Sequence, residues 1–178
     1  MRFILIIFTF LLFSFDFSYA DRMDVFVFTE EEKETLKVRK IKKKTKYTLG
    51  SNENGNYLKA EAEGVASGLG IEKKINLLKT PYINITWKVE KDLSGIDELS
   101  KKGHDYAARV FVIKKTGSTA LSNRAINYVF SSNNEIGFYS PSPYTKKSID
   151  NVLASTKNNL WCGTCAIVDL FKSICSFF

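Results

Sequence analysis

The chain has 178 residues, 44% hydrophobic and 25% charged, with 26 Lys and Arg against 19 Asp and Glu for a net charge of +7. That is length enough for one domain with a core of its own. A single histidine excludes a metal centre built on several histidines, and all three cysteines lie at or beyond residue 162.

Residues 1–20 read as a cleavable export signal. Arg2 supplies a positive start, residues 3–13 are apolar except for Thr9, and Ser18-Tyr19-Ala20 ends in the small-x-small pattern of a signal-peptidase site. The apolar run is too short for a comfortable span, and Asp16 closes it. No cysteine follows the run, which argues against a lipid anchor. The expectation is cleavage after Ala20, a periplasmic or secreted protein of bacterial type, and no stable membrane span afterwards. An exported basic protein favours anionic partners such as acidic polysaccharide, lipid headgroups or phosphate-bearing envelope polymers. Export argues against nucleic acid, the usual reading of such a charge. Solubility alone accounts for the charge equally well.

In chain order, residues 25–28 are an apolar patch expected to form an edge strand, and 30–34 an acidic helical turn. Residues 36–41 alternate, and Lys37, Arg39, Lys40, Lys42, Lys43, Lys44 and Lys46 make the densest charge cluster in the chain. Such a cluster suits the solvated face of an edge strand, where lysine discourages edge pairing, or contact with a polyanion. Residues 50–55 are a turn by composition. Residues 56–63 alternate, with Leu58, Ala60 and Ala62 expected inward. The Gly-rich stretch 64–70 reads as a flexible loop, with no Lys-Ser/Thr pair to make it a phosphate loop. Residues 71–78 suggest another strand or short apolar segment.

Residues 82–90 form a strong strand, with Ile83, Ile85, Trp87 and Val89 on the face that belongs in a core. Residues 92–103 are a polar loop. Carboxylates at 92, 97, 98 and 105 invite a calcium site, but their spacing matches no EF-hand.

The stretch 103–113 reads as the central strand. Tyr106, Ala108, Val110 and Val112 make one apolar face, and Ala107, Arg109, Phe111 and Ile113 the other. Starting the strand at Asp105 puts this carboxylate on the Arg109 side, about 13 Å away along a flat strand. Each would then meet a neighbouring strand or a ligand. His104 lies in the adjoining loop, and nothing in the sequence marks a nucleophile for it. After a Gly/Ser/Thr turn at 114–121, residues 123–131 form the next strand, where Asn127 is a polar intrusion beside Tyr128. Pro141-Ser142-Pro143 marks a loop, and 148–155 a last short strand. Short strands separated by turns, with little helical periodicity, predict an all-β sandwich or jelly roll.

Six blocks then carry a resemblance: Thr45-Lys-Tyr47, Leu58-Lys-Ala-Glu-Ala62, Ala66-Ser-Gly-Leu69, Ile85-Thr-Trp-Lys-Val89, Gly103-His-Asp-Tyr-Ala-Ala-Arg-Val110 and Arg124-Ala-Ile-Asn-Tyr-Val129. In this order they resemble the exported bacterial proteins of domain-of-unknown-function family 3047, over roughly residues 23–156. The family pattern has Asp-Asp where this chain has His104-Asp105. The resemblance implies a periplasmic β-sandwich similar to carbohydrate-binding modules, and it brings no activity and no functional residue set.

Relatives in this family continue beyond the equivalent of Thr156 with an Asp-rich strand, whereas this chain runs into Trp161-Cys-Gly-Thr-Cys165 and a Phe-Phe end. The organisation expected is a signal peptide at 1–20, a β-sandwich domain at 21–156 and an atypical Cys-containing tail at 157–178. The sandwich is expected to be incomplete at the C-terminus, as in a frameshifted or truncated gene, with a short helix over 166–176. Trp161-Cys-Gly-Thr-Cys165 resembles a thioredoxin site, in which the Cys pair opens a helix that lowers the attacking thiol's pKa. Too little chain follows for that fold, and Cys175 makes the count odd.

The leading expectation is a non-catalytic exported protein that binds a saccharide or anionic envelope polymer, with no cofactor and no metal. Its contacts are Asp105, Arg109, Asn127 and Tyr128: guanidinium for an acidic sugar's carboxylate, aromatic ring for a sugar face. The alternatives are a thiol-disulfide oxidoreductase using Cys162 and Cys165, and a structural or partner-binding envelope protein.

Overall fold

The computed structural model describes residues 21–158 and 162–169. The expected signal segment at 1–20 and the end of the tail lie outside the described residues. The chain divides into two compact units, Met1–Glu72 and Lys73–Phe178.

The first unit begins with helix α1 (Glu30–Thr35). Thr29 caps it: its hydroxyl accepts from the Glu32 amide, and the Glu32 carboxylate reaches back to the amides of Val27 and Phe28 at 2.9 and 2.8 Å. The Thr29 hydroxyl satisfies one donor that a helix start leaves open, and the Glu32 carboxylate reaches past the cap residue to the two amides before it. Its return bonds hold the backbone of 27–28, which forms no strand. The edge strand expected at 25–28 is therefore absent, and Phe26 and Phe28 instead stack their rings 5.8 Å apart.

Strand β1 (Lys37–Lys42) pairs antiparallel with a strand at Ala66–Gly70, while β2 (Lys46–Asn52) and β3 (Gly55–Glu61) form a hairpin. The hairpin turns through Glu53 and Asn54 into Gly55, whose φ of +108° glycine alone adopts at no steric cost. The Ala66–Gly70 strand, β4, overturns the flexible loop expected there. Ser67 and buried Thr45 exchange amide-to-hydroxyl bonds at 3.0 and 3.1 Å, and Tyr47 Oη donates to the Ser67 carbonyl at 2.5 Å. These contacts come from residues 20 and 22 positions away and pin a segment whose own composition is permissive. The inward face expected for β3 is not buried either: Leu58 is half-buried and the remaining residues of the strand are exposed.

The second unit opens with β5 (Tyr82–Lys88); residues 71–78 before it contain no strand. Strand β6 (Ala108–Lys114) runs antiparallel to β7 (Arg124–Ser131). The chain then passes to an edge strand, β8 (Tyr139–Ser142), and turns back into β9 (Thr145–Ser155). Strand β9 lies between β7 and β8, parallel to β7, giving the order β6-β7-β9-β8. Pro141 was expected in a loop, but an edge strand tolerates its missing N–H. Finally β10 (Cys162–Asp169) pairs antiparallel with β5.

One face of the four-stranded sheet carries the core. Ile85 of β5 packs with Ile126 and Tyr128 of β7, joined by Ile83, Trp87, Val110 and Val112; Val89 packs with Phe130 and Ala154. The faces read for β5 stand, and those for β6 hold from Ala108 on, since Phe111 and Ile113 are exposed while Val110 and Val112 turn toward this core; before the strand begins, Tyr106 packs instead with Val129 and Val152, and Ala107 against the core. The described residues are thus mostly β, with few in helices and no closed barrel among them. Its described strands pair as one four-stranded sheet and three two-stranded ones.

The tail differs from expectation where it is described. Residues 162–169 are strand, so no helix begins at 166, and 170–176 lie outside the described residues. Its Ala166-Ile-Val168 run lies opposite Ile83, Asn84 and Ile85 of β5, and β-branched residues suit a pleated surface.

Candidate functional site

The opposite face of the sheet is polar at its centre. Register puts Phe111 beside Asn127, Arg109 beside Val129, and Asn127 beside Asp150. Residues opposed across strands share a face, and alternation brings each strand's i±2 residues to the same side. This face therefore collects Arg109, Phe111, Asn127, Val129, Asp150 and Val152.

Asn127 is 1% exposed and Asp150 2%. The Asn127 amide nitrogen donates to Asp150 Oδ1 and to Ser148 Oγ, both at 2.8 Å. The other carboxylate oxygen, Asp150 Oδ2, lies 2.6 Å from His104 Nε2. Burial pushes the Asp150 carboxyl up, but the hydrogen bonds from His104 and Asn127 and the charge of Arg109 outweigh it and hold the carboxyl below its ordinary value. An ionised carboxylate only accepts, so Nε2 carries the proton of this bond.

The loop that delivers His104 is built for close approach. A Cβ on Gly103 would stand 2.5 Å from the Asp97 carbonyl oxygen and 2.6 Å from the Asp97 nitrogen, so only glycine fits. The Gly103 amide donates to Ser100 Oγ, and the Asp105 amide to the Gly103 carbonyl. Tyr106 then turns inward against Val129 and Val152. Burial, aided by the charges of Asp150 and Glu98 and opposed by Arg109, raises its phenol, which stays protonated across the ordinary pH range.

His104 is enclosed: its side chain is 4% exposed, and the rings of Tyr106 and Tyr144 meet it edge-on at 5.5 Å each. A His–Asp pair is the orienting half of a general-base arrangement, and here the imidazole is enclosed by two tyrosine rings. Its part here is to fasten the 103–106 segment to β9.

Arg109 is the reactive-looking group. Its guanidinium carbon lies 4.5 Å from the Tyr106 ring centre and 5.3 Å from that of Phe111. Its Nη2 is buried without a hydrogen-bond partner, and its charge reaches the Asp150 carboxylate across the face rather than through a hydrogen bond. The rings add cation–π attraction to its longer-range attraction for the Asp150 carboxylate. Asn127 Oδ1 is likewise buried without a partner.

The structure brings together two of the four ligand residues expected from sequence, Arg109 and Asn127. Asp105 does not join them, because the strand begins at Ala108 and not at 105. Its exposed carboxylate accepts from the Tyr106 amide at 2.9 Å, a local turn bond. Tyr128 is fully buried on the core face, with Ile85 and Ile126, because it is one residue out of phase with Asn127. His104, Asp150, Ser148 and Tyr106 were missed. A signal existed for Asp150, the one acidic side chain in the 148–155 strand.

A second polar knot closes the 92–98 loop. Glu98, 1% exposed, accepts from the Ser131 hydroxyl, from the Ser132 amide at 2.6 Å and from Asn134 Nδ2 at 2.7 Å. Asp92 accepts from Ser132 Oγ and from the Thr156 hydroxyl. Of the carboxylates considered for calcium, Asp92 and Glu98 are thus occupied by donors from the end of β7 and from Thr156, with Ser132 shared between them. No group of three His, Cys, Asp or Glu side chains among the described residues is placed to hold a metal. Cys162 and Cys165 lie on β10, opposite Lys88 and Thr86 of β5, with a register shift between 162 and 164. The helix start that activates a thioredoxin thiol is absent at these positions.

No helix among the described residues is long and apolar enough to cross a membrane. No curated protein and no solved structure matches the chain. A family model described as "Protein of unknown function (DUF3047)" matches residues 31–166, most of the chain and ten residues past 156.

Proposed function

We propose, for a chain that belongs to this family of proteins of unknown function, that it is a non-catalytic, exported binding protein of β-sandwich type. Its ligand in this reading is an acidic saccharide of the cell envelope or exterior. One observation carries the reading: Arg109 is held against two aromatic rings, while Asp150, the carboxylate that feels its charge, is hydrogen-bonded instead to His104 and Asn127. A cation positioned before its anion arrives loses little further freedom on binding. Guanidinium matches a carboxylate with two parallel hydrogen bonds. Phe111, 46% exposed and next to the guanidinium, offers a ring face for a sugar. The His104–Asp150–Asn127 network supports this reading as a scaffold, since it fixes Tyr106 beneath the guanidinium. The apolar segment at 1–20 supports export.

The test is a glycan screen that pairs uronic-acid oligosaccharides with neutral ones of the same length. Acidic glycans are expected to bind, and Arg109→Ala to weaken them by about a hundredfold, or roughly 3 kcal/mol for a charge-assisted pair, with the thermal unfolding curve little changed. Binding that ignores the carboxylates, or that survives Arg109→Ala, contradicts the proposal.

A further inference from the structure

The first unit carries a surface unrelated to the Arg109 site. All six residues of β1 are exposed. Within 37–44, Lys37, Arg39, Lys40, Lys42, Lys43 and Lys44 are basic, and neither this stretch nor β4 contains an acid. Only Lys37 approaches a carboxylate among the described residues, Glu72 at a loose 3.9 Å. The register of β1 on β4 shifts between Lys40 and Lys42, so Ile41 is the extra residue of a bulge and is 71% exposed. Val38, on the same strand, is 43% exposed. Lys43 follows with a φ of 59°, a left-handed conformation that ends the strand just past the bulge.

Edge protection explains some of these lysines, because one or two charges suffice to block strand pairing. It does not explain an isoleucine presented to solvent among them, which works against such protection. A soluble polyanion accounts for the charges and leaves Ile41 idle. An apolar tip ringed by flexible cations matches an anionic lipid surface. There lysine heads meet the headgroups while their stems and the isoleucine reach the acyl boundary.

We propose that β1, with Ile41 at its bulge and Lys40, Lys42, Lys43 and Lys44 around it, is a docking surface for an anionic bilayer. Attraction to an anionic leaflet contributes about a fivefold gain in partitioning per basic residue. Burial of one isoleucine side chain contributes about tenfold or more.

The test is co-sedimentation of the full chain with vesicles of phosphatidylcholine alone or mixed with phosphatidylglycerol. Wild type is expected to pellet with the mixed vesicles and far less with the neutral ones. Lys40→Ala with Lys42→Ala should lower partitioning about 25-fold, and Ile41→Ser about tenfold at unchanged charge. Far-ultraviolet circular dichroism verifies that these exposed substitutions leave the fold intact. Equal binding to both vesicle types, or binding unmoved by either variant, overturns the proposal and assigns the signal to the apolar run at 3–13. If Ile41→Ser binds as wild type while dextran sulfate displaces both, the surface reads a soluble polyanion and the bilayer assignment is wrong.

Discussion

At the scale of single residues, Asp150 and Gly103 decide whether the polar face exists. Asp150 has a folded carboxyl below its ordinary value of 3.8. A depressed carboxyl contributes stability that is present above the unfolded value and lost as pH falls through the folded one. Thermal unfolding is therefore expected to be insensitive to this group near neutrality and to weaken below about pH 4. Asp150→Asn should flatten that acid limb; an unchanged limb would show that the carboxylate is not held as described. Gly103 fails differently. Any side chain there meets the Asp97 backbone, which has no flexible end to swing away. Gly103→Ala is expected to destabilise by about 1–3 kcal/mol, the range for forced overpacking. Histidine NMR signals should show His104 losing its bond to Asp150, and an unshifted spectrum would count against the close approach.

At the scale of elements, legibility depended on whether a strand's partner was implied by its own pattern. Strands β5 and β6 each turn one face to the core, and β7, buried on both, marks its core face by its large apolar side chains, so period-two alternation placed Ile85, Val110 and Ile126 correctly. The same alternation set Arg109 and Asn127 apart as polar residues in apolar strands, and the register of β6 on β7 puts them on one side. Alternation also had the information to reject Tyr128, whose parity is that of Ile126. Strand β4 was unreadable because Ser67 is fixed by Thr45 and Tyr47 across the unit, and glycine-rich composition says only that the backbone is permissive. Asp105 was misplaced by extending β6 too far. The chain is diverted there by turn bonds to Gly103 and Tyr106, which leave no trace in hydropathy. The tail was read as helix by likeness to a redox motif, whereas its β-branched residues line up with β5. His104 looked idle because its partner stands 46 positions away.

At the scale of the whole molecule, the chain is a pair of compact units, each described by its own sheets, with an exposed lysine-containing stretch at 72–76 where one gives way to the other. Limited trypsin digestion is expected to cut first at Lys73 or Lys74, since exposed irregular backbone is the preferred site of nicking. First cuts inside β7 or β9 would contradict that division. The net charge of +7 acts on both proposed contacts, and screening separates them: contacts made by exposed charges weaken with salt, while a partly buried guanidinium is screened much less. The most direct measurement is therefore calorimetric titration of a uronic-acid oligosaccharide into wild type and Arg109→Ala at low and high ionic strength. The account predicts wild-type binding that persists at high salt and is lost in Arg109→Ala. Equal isotherms for the two proteins, or wild-type binding abolished by salt alone, would contradict an Arg109-centred site.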